Sequence, residues 1–417
     1  MRTAAGRARR DALFLLAGSG TADLAYRITQ VAFPLVVLQQ TGSVAATGLA
    51  GGASGIPVVL SPWWARKARQ WVDSGPRLAV VAAVQAVALA MVPAAAVLGL
   101  LGPEVLIASG LLLGCGDALA TPGRAALLAD TGDRWGPDKA VLLLTWQDGI
   151  RRAGMVVGPP LGALAIAAGF TDGLLWVEAG TVLVAGLLAV SVTGERSPAI
   201  RELPSIRASL VGRSDVLYGW IVRGAGCFTW FAFTLGLSVI GAERGQPGVY
   251  VAAGMSGYGV GSVVGTLISL ALIRRFPPVP LTAIAWTVVG SCWIGMGVWT
   301  TPAAVAVLGA LSGVTIVLGI GAITALITWT SAGAQRRALL SGQSVVVNAS
   351  SSAGLLIGGP VLAVIGAEHT LIGAGLVTCL VALGVLPARR NREARKTRGC
   401  QNAEHDGDRD HHVGRAA

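Results

Sequence analysis

Runs of about 20 apolar residues recur from one end of this chain to the other, and no other feature constrains its fold as strongly. A hydrocarbon layer offers the backbone no water to bond, so each crossing segment satisfies its own N–H and C=O groups as a helix. Of the 417 residues, 53% are hydrophobic and only 13% charged, with a mean hydropathy of +0.67. A soluble chain of this length needs more charge to cover its surface. The expected fold class is therefore all-α and polytopic. The 58 glycines fit it, because small residues let helices approach closely in lipid.

Twelve spans are expected. They cover 12–38, 44–65, 77–101, 104–129, 141–168 and 173–193, then 216–240, 248–273, 279–300, 302–330, 345–366 and 369–387. This divides the chain into an N-terminal six-helix bundle (1–193, with a short basic tail) and a C-terminal one (216–388). Between them lies the polar linker GERSPAIRELPSIRASLVGRSD (194–215), and a charged, disordered tail follows (389–417). With both termini placed in the cytoplasm, all but three of the 32 Lys and Arg residues fall in cytoplasmic segments or at helix ends; the exceptions are Arg27, Arg223 and Arg244. That asymmetry is the positive-inside rule, and it implies a multi-pass plasma-membrane protein. It also accounts for the net charge of +11 without a nucleic-acid partner. The first apolar run is too long for a signal-peptide core.

Function classes fall away in turn. Five cysteines without paired spacing suggest neither a disulfide framework nor a zinc site, and the four histidines lie in a loop and the tail. No metal and no cofactor are expected. The chain has no G-x-x-x-x-G-K-[ST] for a nucleotide and no H-E-x-x-H, so neither an ATP-driven pump nor a membrane-embedded enzyme is indicated.

The two halves echo each other. GMVVGPPLGA (154–163) and GLLIGGPVLA (354–363) share Gly154/Gly354, Gly158/Gly358, Pro160/Pro360 and Ala163/Ala363. VAATGLAGG (44–52) likewise resembles VYVAAGMSG (249–257). Both members of the first pair fall on the fifth helix of their own half, which points to parallel repeats around a central cavity. Gly154, Gly158 and Gly162 make a smooth stripe for close backbone contact, while Pro159 and Pro160 remove backbone donors and favour a kink.

The stretch GTADLAYRITQVAFPLVVLQQTGS (20–43) sets an acid and a base inside the first span. Asp23 and Arg27 share a helix face. Either they neutralise each other structurally, or Asp23 takes up a proton during transport, or the two contact substrate. Intramembrane charges face the bundle interior rather than lipid, so Asp117, Glu178 and Arg223 join them as cavity candidates. Arg124 lies on almost the same face as Asp117. A symmetric anion clamp of Arg27 and Arg223 is not supported, because the repeat places Arg223 opposite Gly18.

These features resemble the major facilitator superfamily over residues 12–387. Within it, the first helix with its acid and outer Thr-Gly-Ser, TPGRAALLADTGD (121–133) and GMVVGPPLGA resemble the enterobactin-exporter and macrolide-efflux type of drug/proton antiporter. The resemblance implies a secondary transporter that exports a small organic molecule, powered by a proton gradient and working as a monomer in the bilayer. The alternatives are an importer or facilitator of a small solute, or a non-transport membrane protein. It also implies a gating role for the glycine-proline motif. When the cavity opens outward, the fifth helix would seal against the eleventh through Gly354, Gly358 and Gly359, with Pro360 in the matching motif. Finally, WVDSGPR (71–77) partly matches the family's loop motif. Asp73, Gly75 and Arg77 fit it, but Arg69 and Ser74 depart from it. Asp73 is expected to cap the eleventh helix and pair with Arg336 or Arg337, with Arg124 part of the same latch.

Overall fold

A computed structural model describes residues 4–136, 139–192, 205–331 and 333–388. Most of the linker and the tail from 389 onward lie outside these described residues. Twelve long helices follow in chain order. In the first half they are α1 (Ala4–Thr41), α2 (Val44–Trp71), α3 (Gly75–Val97), α4 (Pro103–Trp135), α5 (Lys139–Ala167) and α6 (Thr171–Val190). The second half holds α7 (Ser214–Glu243), α8 (Val249–Leu272), α9 (Pro278–Val298), α10 (Pro302–Thr330), α11 (Gly333–Ile365) and α12 (Ala367–Ala388). With an even number of crossings both ends reach the same side, called the terminal face below; the other is the distal face.

By length and apolarity alone, ten of these helices qualify as membrane spans. The two that do not, α1 and α5, carry Asp23, Arg27 and Gln30 or Asp148, Arg151 and Arg152 in their bodies. Most helices run past the expected spans: α11 starts at Gly333 rather than 345, and α4 continues to Trp135 rather than 129. The polar turns added at these ends need no apolar surroundings. Ahead of α7, Ser205 caps a short helix by accepting from the Ala208 N–H at 3.1 Å. Arg213 then docks this end of the linker on the C-terminal half, through the Thr330 carbonyl and Gln335.

Small residues decide which helices touch. Gly110 and Gly114 of α4 lie against Ala50 and Ser54 of α2, where an added methyl would meet backbone. In the second half Gly257, Gly261 and Gly265 of α8 face Ala306, Ala310 and Val314 of α10 in the same way. The repeat read from sequence is also a structural one. Residues 154–162 and 354–362 follow an identical order of buried, half-buried and exposed positions. Gly154 and Gly158 rest on α1 at Leu24 and Arg27, while Gly354 and Gly358 rest on α7 at Phe228 and Phe231.

In this arrangement α5 does not pack on α11, the contact expected when the cavity opens outward; the stripes of Gly154, Gly158 and Gly162 and of Gly354 and Gly358 each pack within their own half. Pro159 and Pro160 lie within α5 and Pro360 within α11, and both helices run on past them. Pro160 and Pro360 are exposed, turned away from the buried glycines. A proline lacks the N–H that would bond back along its helix, and on an outer face that loss disturbs no helix–helix contact.

The halves meet instead through α2 with α11 and α5 with α8. A methyl on Gly48 would meet Gly359 Cα at 2.9 Å, and one on Gly259 would meet the Met155 carbonyl oxygen at 2.8 Å. Gly248, with φ +81°, brings the start of α8 against Val31 and Ile166. These contacts run from mid-helix to the distal face, where one apolar core joins Val31, Leu35 and Ile166 to Phe231, Leu235 and Ile240. On the terminal side the N-terminal half has a separate core around Leu15, Val81, Leu127 and Leu128.

Candidate functional site

The gap left between the halves is lined at mid-helix by polar groups that the sequence had marked. Asp23, Tyr26, Arg27 and Gln30 share one face of α1. Asp23 and Arg27 form no ion pair among the described residues, so the simple structural pairing is not what the fold builds. Arg27 donates to Gln30 Oε1 at 3.1 Å and lies over the Tyr26 ring, 5.0 Å from its centroid. Its Nε has no hydrogen-bond partner. The reason is steric. Gly158 packs so closely on α1 that a methyl there would stand 2.5 Å from Arg27 Cβ, and the guanidinium runs along α1 instead. Asp23 faces a wider set of cations, Arg124 first, then Arg27 and Arg151.

Arg124 therefore belongs to the interior rather than to a loop latch. It also faces Asp117, whose carboxylate accepts from Gln85 Nε2 of α3 at 2.6 Å. Gly116 makes room for that contact, since any side chain there would strike Gln85. Glu178 of α6 is 7% exposed and sits beside Thr29 of α1. Tyr26 is 46% exposed although it faces Arg27, Glu178, Asp117 and Asp23. Exposure in the midst of four ionisable neighbours marks the wall of an open cavity. Among the described residues, no three His, Cys, Asp or Glu side chains are placed to hold a metal.

The C-terminal half lines the gap differently. Arg223 of α7 faces Cys227 and Tyr258 and no carboxylate among the described residues; its Nε and Nη1 have no hydrogen-bond partner. Two turns further along the same face of α7 stands Trp230, whose ring lies 5.3 Å from Tyr258, edge-on, and 4.8 Å from Phe233. Just beyond, Ala232–Gly236 forms a single wide π-helical turn. Nothing in the sequence marked that turn or Tyr258. Insertions of this kind break the regular helix ladder and are frequent at functional sites.

The latch expectation fails at the terminal face. Asp73 pairs with Arg77 at 2.9 Å, and Arg77 also covers the Trp71 ring and bonds its carbonyl. Arg336 donates to the carbonyls of Thr328 and Ser331 at the end of α10. Both acid and base are satisfied by groups near them in sequence, and the Arg337 side chain lies outside what is described. Gly75 instead packs against the end of α6, at Ala189 and Val192.

Two six-helix halves related by a glycine-proline repeat, joined through α2–α11 and α5–α8 around a polar gap, define the architecture. The family model of the Major Facilitator Superfamily matches residues 15–288. The chain belongs to the major facilitator superfamily. It is a membrane transporter, not an enzyme. Solved structures agree on the fold. The nucleoside transporter NupG superposes with a TM-score of 0.68 at 12% identity, covering 90% of this chain and 98% of its own. A bacterial homolog of the human lysosomal transporter Spinster, inward-facing and unoccupied, gives 0.71 at 12% identity over 92% and 97%. A POT family transporter in complex with a thioalcohol-conjugated peptide gives 0.68 at 13% over 92% and 96%. At such identities the likeness is one of fold alone. No curated protein matches the sequence.

Proposed function

We propose that this superfamily member exports a small organic molecule across the plasma membrane in exchange for protons, by alternating access of the central gap. One observation carries the reading. Asp23, Asp117 and Glu178 gather around the gap from three helices of the N-terminal half, and none is locked in an ion pair among the described residues. A carboxylate held in a cavity without a fixed cation can gain or lose a proton as its surroundings change, which is what coupling requires. Positive-inside asymmetry makes the terminal face cytoplasmic. The contacts joining the halves then lie toward the outside, and the gap faces the cell interior, ready to load a molecule for export. The first-helix resemblance to enterobactin and macrolide exporters supports the outward direction. Import is the competing reading, since the fold by itself fixes no direction.

Inverted membrane vesicles test this. With an acid-inside gradient, vesicles holding the protein should accumulate one or more of a panel of dyes, macrolides and siderophores. Collapse of the gradient should abolish accumulation. Asp23→Asn, in protein that still reaches the membrane, should reduce it to the level of vesicles lacking the transporter. Accumulation that ignores the gradient, or survives Asp23→Asn unchanged, removes proton coupling through this residue.

A further inference from the structure

The guanidinium of Arg223, whose Nε and Nη1 have no hydrogen-bond partner, is the feature that the proton-coupling reading does not use. Within the spans, Arg27 and Arg124 both face carboxylates, and Arg151 and Arg152 bind Asp148 at 2.6 and 2.7 Å. Among the described residues Arg223 has the Cys227 thiol, one turn on and hydrogen-bonded to it, and the Tyr258 phenol as neighbours able to interact with its charge. Ser351 of α11 stands on the far side of Cys227. An uncompensated cation inside a membrane protein is costly, and such residues mark ligand pathways or find a counter-ion. Among the described residues the fold provides no counter-ion here.

What surrounds the charge narrows the ligand. Trp230 lies seven residues along α7 from Arg223, on the same face. Its ring and that of Tyr258 meet edge-on, leaving flat apolar surface beside the guanidinium. Tyr258 also lies within electrostatic reach of Arg27, Arg151 and Arg152 of the other half. A guanidinium suits a carboxylate, sulfonate or phosphate because its planar donors match their paired oxygens. The aromatic rings suit a flat organic body.

We propose that Arg223 receives the anionic group of an organic substrate whose flat body lies against Trp230 and Tyr258. The inference rests on the gap being a transport cavity, but it concerns binding and does not depend on direction or proton coupling.

Cys227 offers a built-in reporter of the local field. In protein reconstituted in nanodiscs, with Cys115, Cys292, Cys379 and Cys400 replaced by Ala, the rate of Cys227 modification is measured with two thiosulfonates of similar size. One carries a sulfonate, the other a trimethylammonium group. The anionic reagent should react faster, and Arg223→Gln should reduce its advantage by roughly tenfold, about the worth of one charge-assisted contact. Arg223→Lys should retain the advantage. Equilibrium binding of 1-pyrenesulfonate, read by energy transfer from tryptophan, should weaken by a similar factor in Arg223→Gln and again in Trp230→Leu. It should be unaffected by Asp23→Asn, which separates this site from the coupling reading. Equal reagent rates with and without Arg223, or pyrenesulfonate binding indifferent to both Arg223→Gln and Trp230→Leu, overturns the proposal.

Discussion

The two halves share a backbone plan and differ in what they hold at its centre. In the N-terminal half α1, α4 and α6 converge three carboxylates on a gap crossed by arginines. In the C-terminal half the corresponding space holds one arginine without an acid and a cluster of Trp230, Phe233, Tyr258 and Trp293. Among the qualifying spans α7 and α9 are each 67% buried, whereas the other four of the C-terminal half and the four of the N-terminal half lie between 28% and 44%. The repeat thus keeps its helix contacts while its interior diverges. The difference suggests a division of labour, with protons handled on one side and substrate on the other.

The sharpest way to break that comparison is to exchange the defects. Asp23→Asn or Glu178→Gln should abolish gradient-dependent accumulation in inverted vesicles, whereas Arg223→Lys should leave the gradient dependence intact and raise the substrate concentration needed for half-maximal uptake. If Arg223→Lys changes the proton dependence as deeply as Asp23→Asn, the division does not exist.

Next in size are the matched glycines. Gly158→Ala drives a methyl against the Arg27 backbone and Gly358→Ala drives one into the Phe231 ring. Each should cost about 1–3 kcal/mol as overpacking, seen as a lower unfolding temperature of the purified protein. Gly154→Ala meets nothing closer than 3.8 Å, so it should be near neutral, while Gly354→Ala strikes the Phe228 carbonyl and should not be. Equal effects at 154 and 354 would show that the repeat is more symmetric than its packing indicates.

The smallest effect belongs to the distal face. There Arg244 ties the Tyr250 hydroxyl at 3.1 Å, Glu368 at 2.5 Å and the Thr300 carbonyl into one junction of three C-terminal loops. Arg244→Gln should lower stability by no more than about 1 kcal/mol, because both partners of its ion pair are well exposed and solvent screens it. A larger loss in the same unfolding assay would make this junction a structural clamp of the C-terminal half.

Much of the fold was legible because its cause is local. Hydrophobic length sets a helix within one stretch of chain. The offset between GMVVGPPLGA and GLLIGGPVLA exposed the repeat for the same reason. What the motif packs against was not legible: its glycines lie on α1 and α7, and Pro360 faces away from any partner half. Asp23, Asp117, Glu178 and Arg223 were visible as site candidates because a charge in an apolar run has few places to go. Their partners were hidden. Asp23 looked matched to Arg27 four residues on, yet Gly158 from α5 crowds Arg27, which runs toward Gln30 and Tyr26. Arg124 was read as part of the latch as well as on the face of Asp117, and it faces two acids of the interior.

Sequence by itself thus determined that this chain crosses a membrane many times in two related halves, since the penalty for polar backbone in lipid applies segment by segment. Only the tertiary structure decided which helices touch, which ions face one another and which guanidinium is left alone. Those outcomes depend on how side chains from helices far apart in sequence share one small space, and no single stretch of chain contains that information.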